Sequence, residues 1–384
     1  MLEIKKIYLA HFLVGLATAT SVVSTLYLLS HGVSQSQVSL LFAVFMITMA
    51  LLNMPTGSFA DIHGHKKSVF LGLCFHSLYS LFFFLFPTFL GFLVGMAMAG
   101  IGLALQDGAV SSLIYDILKK NGRADDFQKV KGRAASYFLV AAIFAAPIGS
   151  LVYKSHPRLP YLLSFFCFIP AIISIFSIKW EFKKPSSTAT SFFKKISEGF
   201  ILTIRNKKLV AVALMGIALT TARLVFNQNI SQPYQIKIGV DVSLIGFTAS
   251  LFALVQAAIS ASAYRISRRL GVGFSLLLVN FVPSICLVLL GLFNSIYTLG
   301  FILIFYLGHT FRDPFFSHIG QSELSNKHRA TMASTVSFLT SLIVGVLLPV
   351  WGHGLDLFGM NTILLCLAIF TAAIGAVGIF IFML

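Results

Sequence analysis

Four ionisable residues fall inside long apolar stretches of this chain: Asp107, Arg223, Arg312 and Asp313. A charge at the centre of a bilayer costs about 2.5–3.5 kcal/mol on insertion scales, so each needs a reason to be there. Asp107 is expected close to mid-helix, and a carboxyl group held away from water there exchanges protons near neutral pH, which makes it a candidate for proton coupling; a permanent salt bridge to an arginine of the opposite half is the other reading. Arg223 is followed by Asn227, Gln228, Asn229, Ser231, Gln232, Tyr234 and Gln235, a polar run that would be wasted on lipid. A guanidinium in that setting suits a substrate carboxylate or phosphate, with pairing to Asp107 as the alternative. Tyr306, His309, Asp313 and Ser317 recur at helical spacing on one face, from which Arg312 is turned away. His309 and Asp313 can share a proton across one turn, or form only a structural hydrogen bond.

The first apolar run carries Thr18, Thr20, Ser21 and Ser24, of which Thr20 and Ser24 are expected to face the same cavity as Arg223, Asn227, Gln228, Tyr306 and Arg312. His63 and His65 lack acidic or cysteine company, and no other spacing suits a metal. No phosphate-binding loop of the ATPase type is present. No cofactor is therefore expected, and the energy source is a gradient or none. The absence of a nucleophile–base constellation argues against an enzyme.

The elements that must position these groups are membrane helices. With 57% apolar and 10% charged residues, the 384-residue chain lies far from the composition of a soluble domain. Twelve apolar runs, from about 7–29 to about 360–383, are each long enough to span a bilayer. Of the 28 Lys and Arg residues, 23 fall in segments that are cytoplasmic if the N-terminus is inside. The net charge of +16 is thus read as topology rather than nucleic-acid binding, with both termini on the cytoplasmic side of a cell (inner or plasma) membrane. The first run is too long for a signal-peptide core and is kept as a helix. Cys74, Cys167, Cys286 and Cys366 are scattered singly, as small apolar residues are, and no disulfide is expected.

An internal repeat divides the chain. His31-Gly32-Val33-Ser34 before the second run matches Ile238-Gly239-Val240-Asp241 before the eighth, with Ser34 and Gln37 at capping-box spacing. Gln106-Asp107-Gly108 matches Arg312-Asp313-Pro314, and Gly132-Arg133-Ala134 matches His328-Arg329-Ala330. Six helices are duplicated, giving an N-terminal half over 1–178, a cytoplasmic linker over 179–208 and a C-terminal half over 209–384. Within the linker, Phe193, Ile196, Phe200 and Ile204 share one helical face flanked by Lys194, Lys195 and Arg205, so the segment either lies on headgroups or is solvated. Small residues at four-residue steps, Gly91-Gly95-Ala99 and Ala141-Ala145-Gly149, indicate close helix packing.

Between the second and third runs stand Gly57, Asp61, Gly64 and the bases His65, Lys66 and Lys67, read as a glycine-rich turn closing a tight hairpin. This stretch resembles the loop between the second and third helices of the major facilitator superfamily of transporters. The resemblance implies an all-α membrane protein of twelve helices in two pseudo-symmetric six-helix halves, working by alternating access, with helices 1, 4, 7 and 10 around a central cavity. It also implies a cytoplasmic gate built from Gly57, Asp61 and Gly64, with Asp61 engaging the region of Arg329 and His65 pairing with Asp116. Arg133, the repeat partner of Arg329, is assigned to the same gate. The chain departs from the family pattern where Ile62 and His65 replace arginines, and where Met96 stands four residues before Gly100-Ile101-Gly102 in place of the arginine of proton-coupled members. The second departure moves proton coupling to Asp107. A remnant of the antiporter signature, Ala145-Ala146-Pro147-Ile148-Gly149, favours export. The stretches from Asp107 to Asp116 and from Arg329 to Ser334 look like a bacterial branch grouped with tetracycline-type drug-efflux carriers.

The expectation is a monomeric secondary transporter in contact with membrane lipid, exporting a small organic molecule, anionic where it meets Arg223, in exchange for protons. The alternatives are proton-coupled import of an organic anion or a siderophore-type chelate, and a non-transporting receptor or scaffold.

Overall fold

The computed structural model describes the backbone of residues 2–179, 200–201, 203–322 and 326–383, and their side chains except at 54, 261–270, 313–315, 317–322 and 326–334. The linker residues Phe193, Ile196, Lys194 and Lys195 lie outside the described residues, as do the side chains of Asp313, Ser317 and Arg329. Phe200 and Ile204 are described and exposed.

All regular structure among the described residues is helical. In chain order the helices are α1 Leu2–Ala17, α2 Ser24–Ser30, α3 Gln35–His63, α4 His65–Leu85, α5 Phe89–Gln106, α6 Ala109–Lys120, α7 Phe127–Ser155 and α8 Leu159–Phe176. They continue as α9 Lys207–Val225, α10 Ser231–Lys237, α11 Val242–Leu292, α12 Leu299–Ser322 and α13 Asn326–Met383. α11 turns at Gly271 and α13 at Gly359, so each holds two segments. Ten stretches among the described residues are long and apolar enough to cross a membrane, one of them the doubled Thr335–Met383, and Ile296–Arg312 is a shorter apolar helix. The twelve expected segments are all present.

Two compact units form. One comprises Met1–Val33, Val44–Ala189 and Val242–Ser250; the other comprises Ser34–Ala43, Thr190–Asp241 and Leu251–Leu384. Each thus contains most of one predicted half, with the first turns of α3 and α11 counted across. In the first unit, Ser150 Oγ donates to Ser243 O (2.9 Å) and Ser250 Oγ to Ile143 O (2.6 Å). Gly246 permits this approach, because a β-carbon there would collide with the Ala146 carbonyl. In the second unit, Asp356 accepts the free amides of Gln35 (3.0 Å) and Ser36 (2.9 Å) at the start of α3. The capping box forms as expected: Ser34 N donates to Gln37 Oε1 (3.0 Å) and Gln37 N to Ser34 Oγ (3.3 Å).

The repeat is visible atom by atom. Tyr27 OH donates to Phe83 O, and Tyr234 OH donates to Phe293 O, both at 2.7 Å. After each tyrosine the chain turns through a left-handed glycine, Gly32 or Gly239, and closes on the same pattern, Val33 N to Leu28 O and Val240 N to Gln235 O.

Three of the four helices expected to line a cavity are interrupted, each for a local reason. In helix 1, Thr18 Oγ1 donates to Gly15 O (2.6 Å) and Ser21 Oγ to Thr18 O (2.7 Å). Such bonds compete with the helical ladder, and the chain passes through a 3₁₀ turn at Thr18–Thr20 before α2 begins. In helix 4, Asp107 adopts an extended backbone (φ −61°, ψ 123°) and Gly108 a left-handed one (φ 75°), which separates α5 from α6. In helix 7, Pro233 has no N–H to give to Asn229 O, and the ladder widens into a π-helical turn over Phe226–Ile230.

The hairpin expected over Gly57–Lys67 is tighter than its glycines suggested. α3 runs unbroken through Gly57 and Asp61 to His63, and the chain reverses at Gly64 alone, whose φ of 98° only glycine adopts easily.

Candidate functional site

In the second unit a basic, polar cluster joins α9, the π-helical turn and α12. Arg223 lies near the end of α9; it is exposed and has no hydrogen-bond or ion-pair partner among the described residues. One turn on, Asn227 is also exposed, and its Oδ1 accepts from Tyr306 OH (2.9 Å), which lies 3.5 Å from Ser231 Oγ as well. Arg312 Nη1 donates to Thr220 Oγ1 (2.7 Å), which fixes the guanidinium against α9. The charges of Arg223 and Arg312 both bear on His309. That imidazole is 3% exposed, stands edge-on to Phe305 at 4.7 Å, and has no hydrogen-bond partner for either ring nitrogen among the described residues. A buried polar group left unpaired costs about 1–3 kcal/mol, and the side chain of Asp313, the expected partner one turn on, lies outside the described residues.

The rest of the polar run after Arg223 does not form an open surface. Asn229, Ser231, Gln232, Tyr234 and Gln235 are buried. Asn229 receives Ser39 Oγ (3.1 Å) and donates to Gln35 O (3.0 Å), so it ties the start of α3 to the π-helical turn. Gln228 is half-buried and has an interaction of its own.

The first unit carries the other candidates. Asp107 is not mid-helix as expected; it caps α5 at the break, with an exposed side chain and no partner among the described residues. The break is held from outside. Two of the carbonyls freed by losing the ladder, Ala104 O and Leu105 O, accept from Thr56 Oγ1 (2.8 Å) and Ser68 Oγ (2.6 Å). Hydroxyls in this role let irregular backbone persist at membrane depth. Beside the break, Gln106 Nε2 donates to His76 Nδ1 (2.9 Å) and Gly102 O (3.1 Å). Gln106 also borders a cavity of about 60 Å³ that His11, Val14, Val69 and Val110 help to line. Thr20 and Ser24, expected to face a cavity, are buried at the helix-1 break instead, at 5% and 6% exposure. Their short hydroxyls are engaged within the protein: Ser24 Oγ donates to Ser21 O (3.3 Å), and Thr20 is hydrogen-bonded to the Tyr79 side chain.

Of the gate residues, His65 Nδ1 meets Asp116 Oδ2 at 2.7 Å, the pair expected from the resemblance. His65 Nε2 lies 3.7 Å from Asp61 Oδ1, so one imidazole bridges two carboxylates. Arg133 is exposed in the second turn of α7. The expected engagement of Asp61 with Arg329 falls outside the described residues.

Sequence reasoning missed Thr56, Ser68, His76 and Gln106. The Asp-Gly pair at 107–108 is a turn signal that marks the break, whereas the hydroxyls that hold it come from two other helices.

The sequence profile of the Major Facilitator Superfamily matches residues 7–339. The chain is 22% identical to the uncharacterized MFS-type transporter MJ1560 of Methanocaldococcus jannaschii, over 92% of this chain and 91% of that one. It is 23% identical to the quinolone resistance protein NorA of Staphylococcus aureus (strain MRSA252), over 56% of this chain and 54% of NorA. Among solved structures, the nucleoside transporter NupG superposes with a TM-score of 0.84 at 11% identity, covering 99% of both chains.

Proposed function

Since the chain belongs to the major facilitator superfamily, whose members are transporters and not enzymes, we propose that it is a proton-coupled exporter of a small organic anion. The observation that carries this reading is Arg223: an exposed guanidinium, unpaired among the described residues, on a membrane helix beside the Tyr306–Asn227 pair. An unpaired cation at that depth is costly unless an anion arrives to meet it. Arg223 and Arg312 bind the substrate's carboxylate or phosphate, and Tyr306, Asn227 and Gln228 orient the remainder. Asp107 carries the exchanged proton, with His309 and Asp313 as a second relay. The two halves, 1–178 and 209–384, alternate about the substrate with both termini cytoplasmic, and the unit of function is the monomer.

Similarity to a drug-resistance protein over part of its length supports export. The antiporter remnant at Ala145–Gly149 points the same way. Competition on the purified protein tests the substrate class. Binding of a carboxylate ligand should be lost in its neutral amide and in Arg223→Gln. Equal binding of acid and amide would contradict the anion reading and leave transport of a neutral solute.

A further inference from the structure

A second cluster of positive charge lies where α4 begins and α8 ends. A groove of about 410 Å³ opens there, lined by His63, Lys66, Lys67, Phe70, Leu71 and Phe176. Its two sides differ in chemistry. On one, Lys67 and His63 are exposed, and the Lys67 ammonium has no partner among the described residues. Lys66 is pinned at the rim: its Nζ donates to Ile178 O (2.6 Å) and stands 5.5 Å over the Phe176 ring, which leaves further N–H donors on the ammonium. On the other side, Phe70 and Leu71 are half-buried and Phe176 is 67% exposed, with the Phe70 and Phe176 rings 5.7 Å apart.

The nearby acids are engaged: the charge of Glu3 bears on Lys66, while its carboxylate is bonded to Lys6 Nζ (3.1 Å) and to the Lys179 amide (3.0 Å). His65 bridges Asp61 and Asp116. The ammonium groups of Lys6 and Lys66 also cap the end of α8, through Ser177 O and Ile178 O, so their position is fixed whatever else they bind.

A soluble anion would satisfy Lys66 and Lys67 yet leave Phe176 in water; a neutral lipid chain would cover Phe176 yet leave the ammonium groups unmatched. We infer that the groove formed by Lys66, Lys67, Phe70, Leu71 and Phe176 holds one anionic glycerophospholipid, its phosphate on the two lysines and an acyl chain across the aromatic floor. The orientation proposed above puts this lipid in the cytoplasmic leaflet; the binding itself depends on neither transport direction nor substrate.

The test uses native mass spectrometry of the intact purified protein with phosphatidylglycerol and phosphatidylcholine of matched chains, and glycerol phosphate as the chainless probe. Wild type should retain phosphatidylglycerol over phosphatidylcholine, and Lys67→Gln, which alters an exposed side chain and threatens no buried contact, should lower retention about fivefold. Phe176→Ala should lower retention of both lipids, glycerol phosphate should not be retained, and the remote Arg158→Gln variant, at the opposite end of α8 from Phe176, should match wild type. Equal retention of the two lipids, loss in the remote variant as large as in Lys67→Gln, or retention of glycerol phosphate unaffected by Phe176→Ala would each overturn the inference.

Discussion

Arg223 and Asp107 are alike in being exposed, charged and without a partner among the described residues, and they differ in what holds them. Arg223 projects from the last turns of α9, whereas Asp107 sits on the extended backbone of a helix break. Lysine keeps the charge of Arg223 but not its planar fork, so Arg223→Lys should retain part of the transport of an anionic substrate and Arg223→Gln should lose most of it, a drop of about tenfold or more in kcat/KM. Equal rates in all three would remove Arg223 from the substrate path. His65 calls for a different experiment. Its ring bridges Asp61 and Asp116, so His65→Ala should break both contacts at once and change the transport rate several-fold, whereas a rate equal to that of wild type would exclude the bridge from the gate. At this scale much was legible, because an ionisable residue in an apolar run declares itself by composition. The 2.7 Å contact between His65 and Asp116 was legible only through a family resemblance, since 51 residues separate the two.

The helices themselves read clearly and their interruptions did not. An apolar run of twenty residues fixes a span whatever its internal geometry, which is why all twelve were found. The same averaging hides a break, and Asp107 was read as mid-helix because apolar residues continue on either side of it. Pro233 carries the clearest physical signal, and it makes the π-helical turn testable. Pro233→Ala restores the missing N–H and lets the ladder close as an α-helix, which shifts the register by one residue, or about 100° of rotation. Asn227 would then turn away from Tyr306 OH. Transport should fall about tenfold or more with thermal stability unchanged or raised, because proline inside a helix is itself unfavourable. Unaltered transport would make the π-helical turn a packing accident. The bonds from Thr56 and Ser68 to the freed carbonyls of Ala104 and Leu105 were out of reach for the opposite reason. Each joins a serine or threonine that looks ordinary in its own helix to a carbonyl whose need arises only in the folded chain.

At the scale of the whole molecule, the duplicated hydrogen bonds of Tyr27 and Tyr234 give the repeat a physical basis: each first helix is tied to the end of the third in its set. The sequence comparison that suggested the repeat rested on short matches such as Gly32 with Gly239, and the shared left-handed turn explains why those glycines recur. Orientation rests on the Lys and Arg distribution, and cysteine labelling of intact cells in a cysteine-free background tests it. Ser155→Cys, exposed at the last residue of α7, should react with an impermeant maleimide, and Ser177→Cys, exposed beyond the far end of α8, should react only after permeabilisation. The reverse pattern would invert the topology and place the lipid groove in the outer leaflet. The central claim, that a proton moves against an organic anion through Asp107, is tested most directly by substrate-driven proton flux in acid-loaded inverted vesicles. Wild type is predicted to release protons when an anionic substrate is added, and Asp107→Asn to exchange substrate across the membrane without releasing any. Proton release undiminished in Asp107→Asn, or absent from wild type while substrate still moves, would contradict the account.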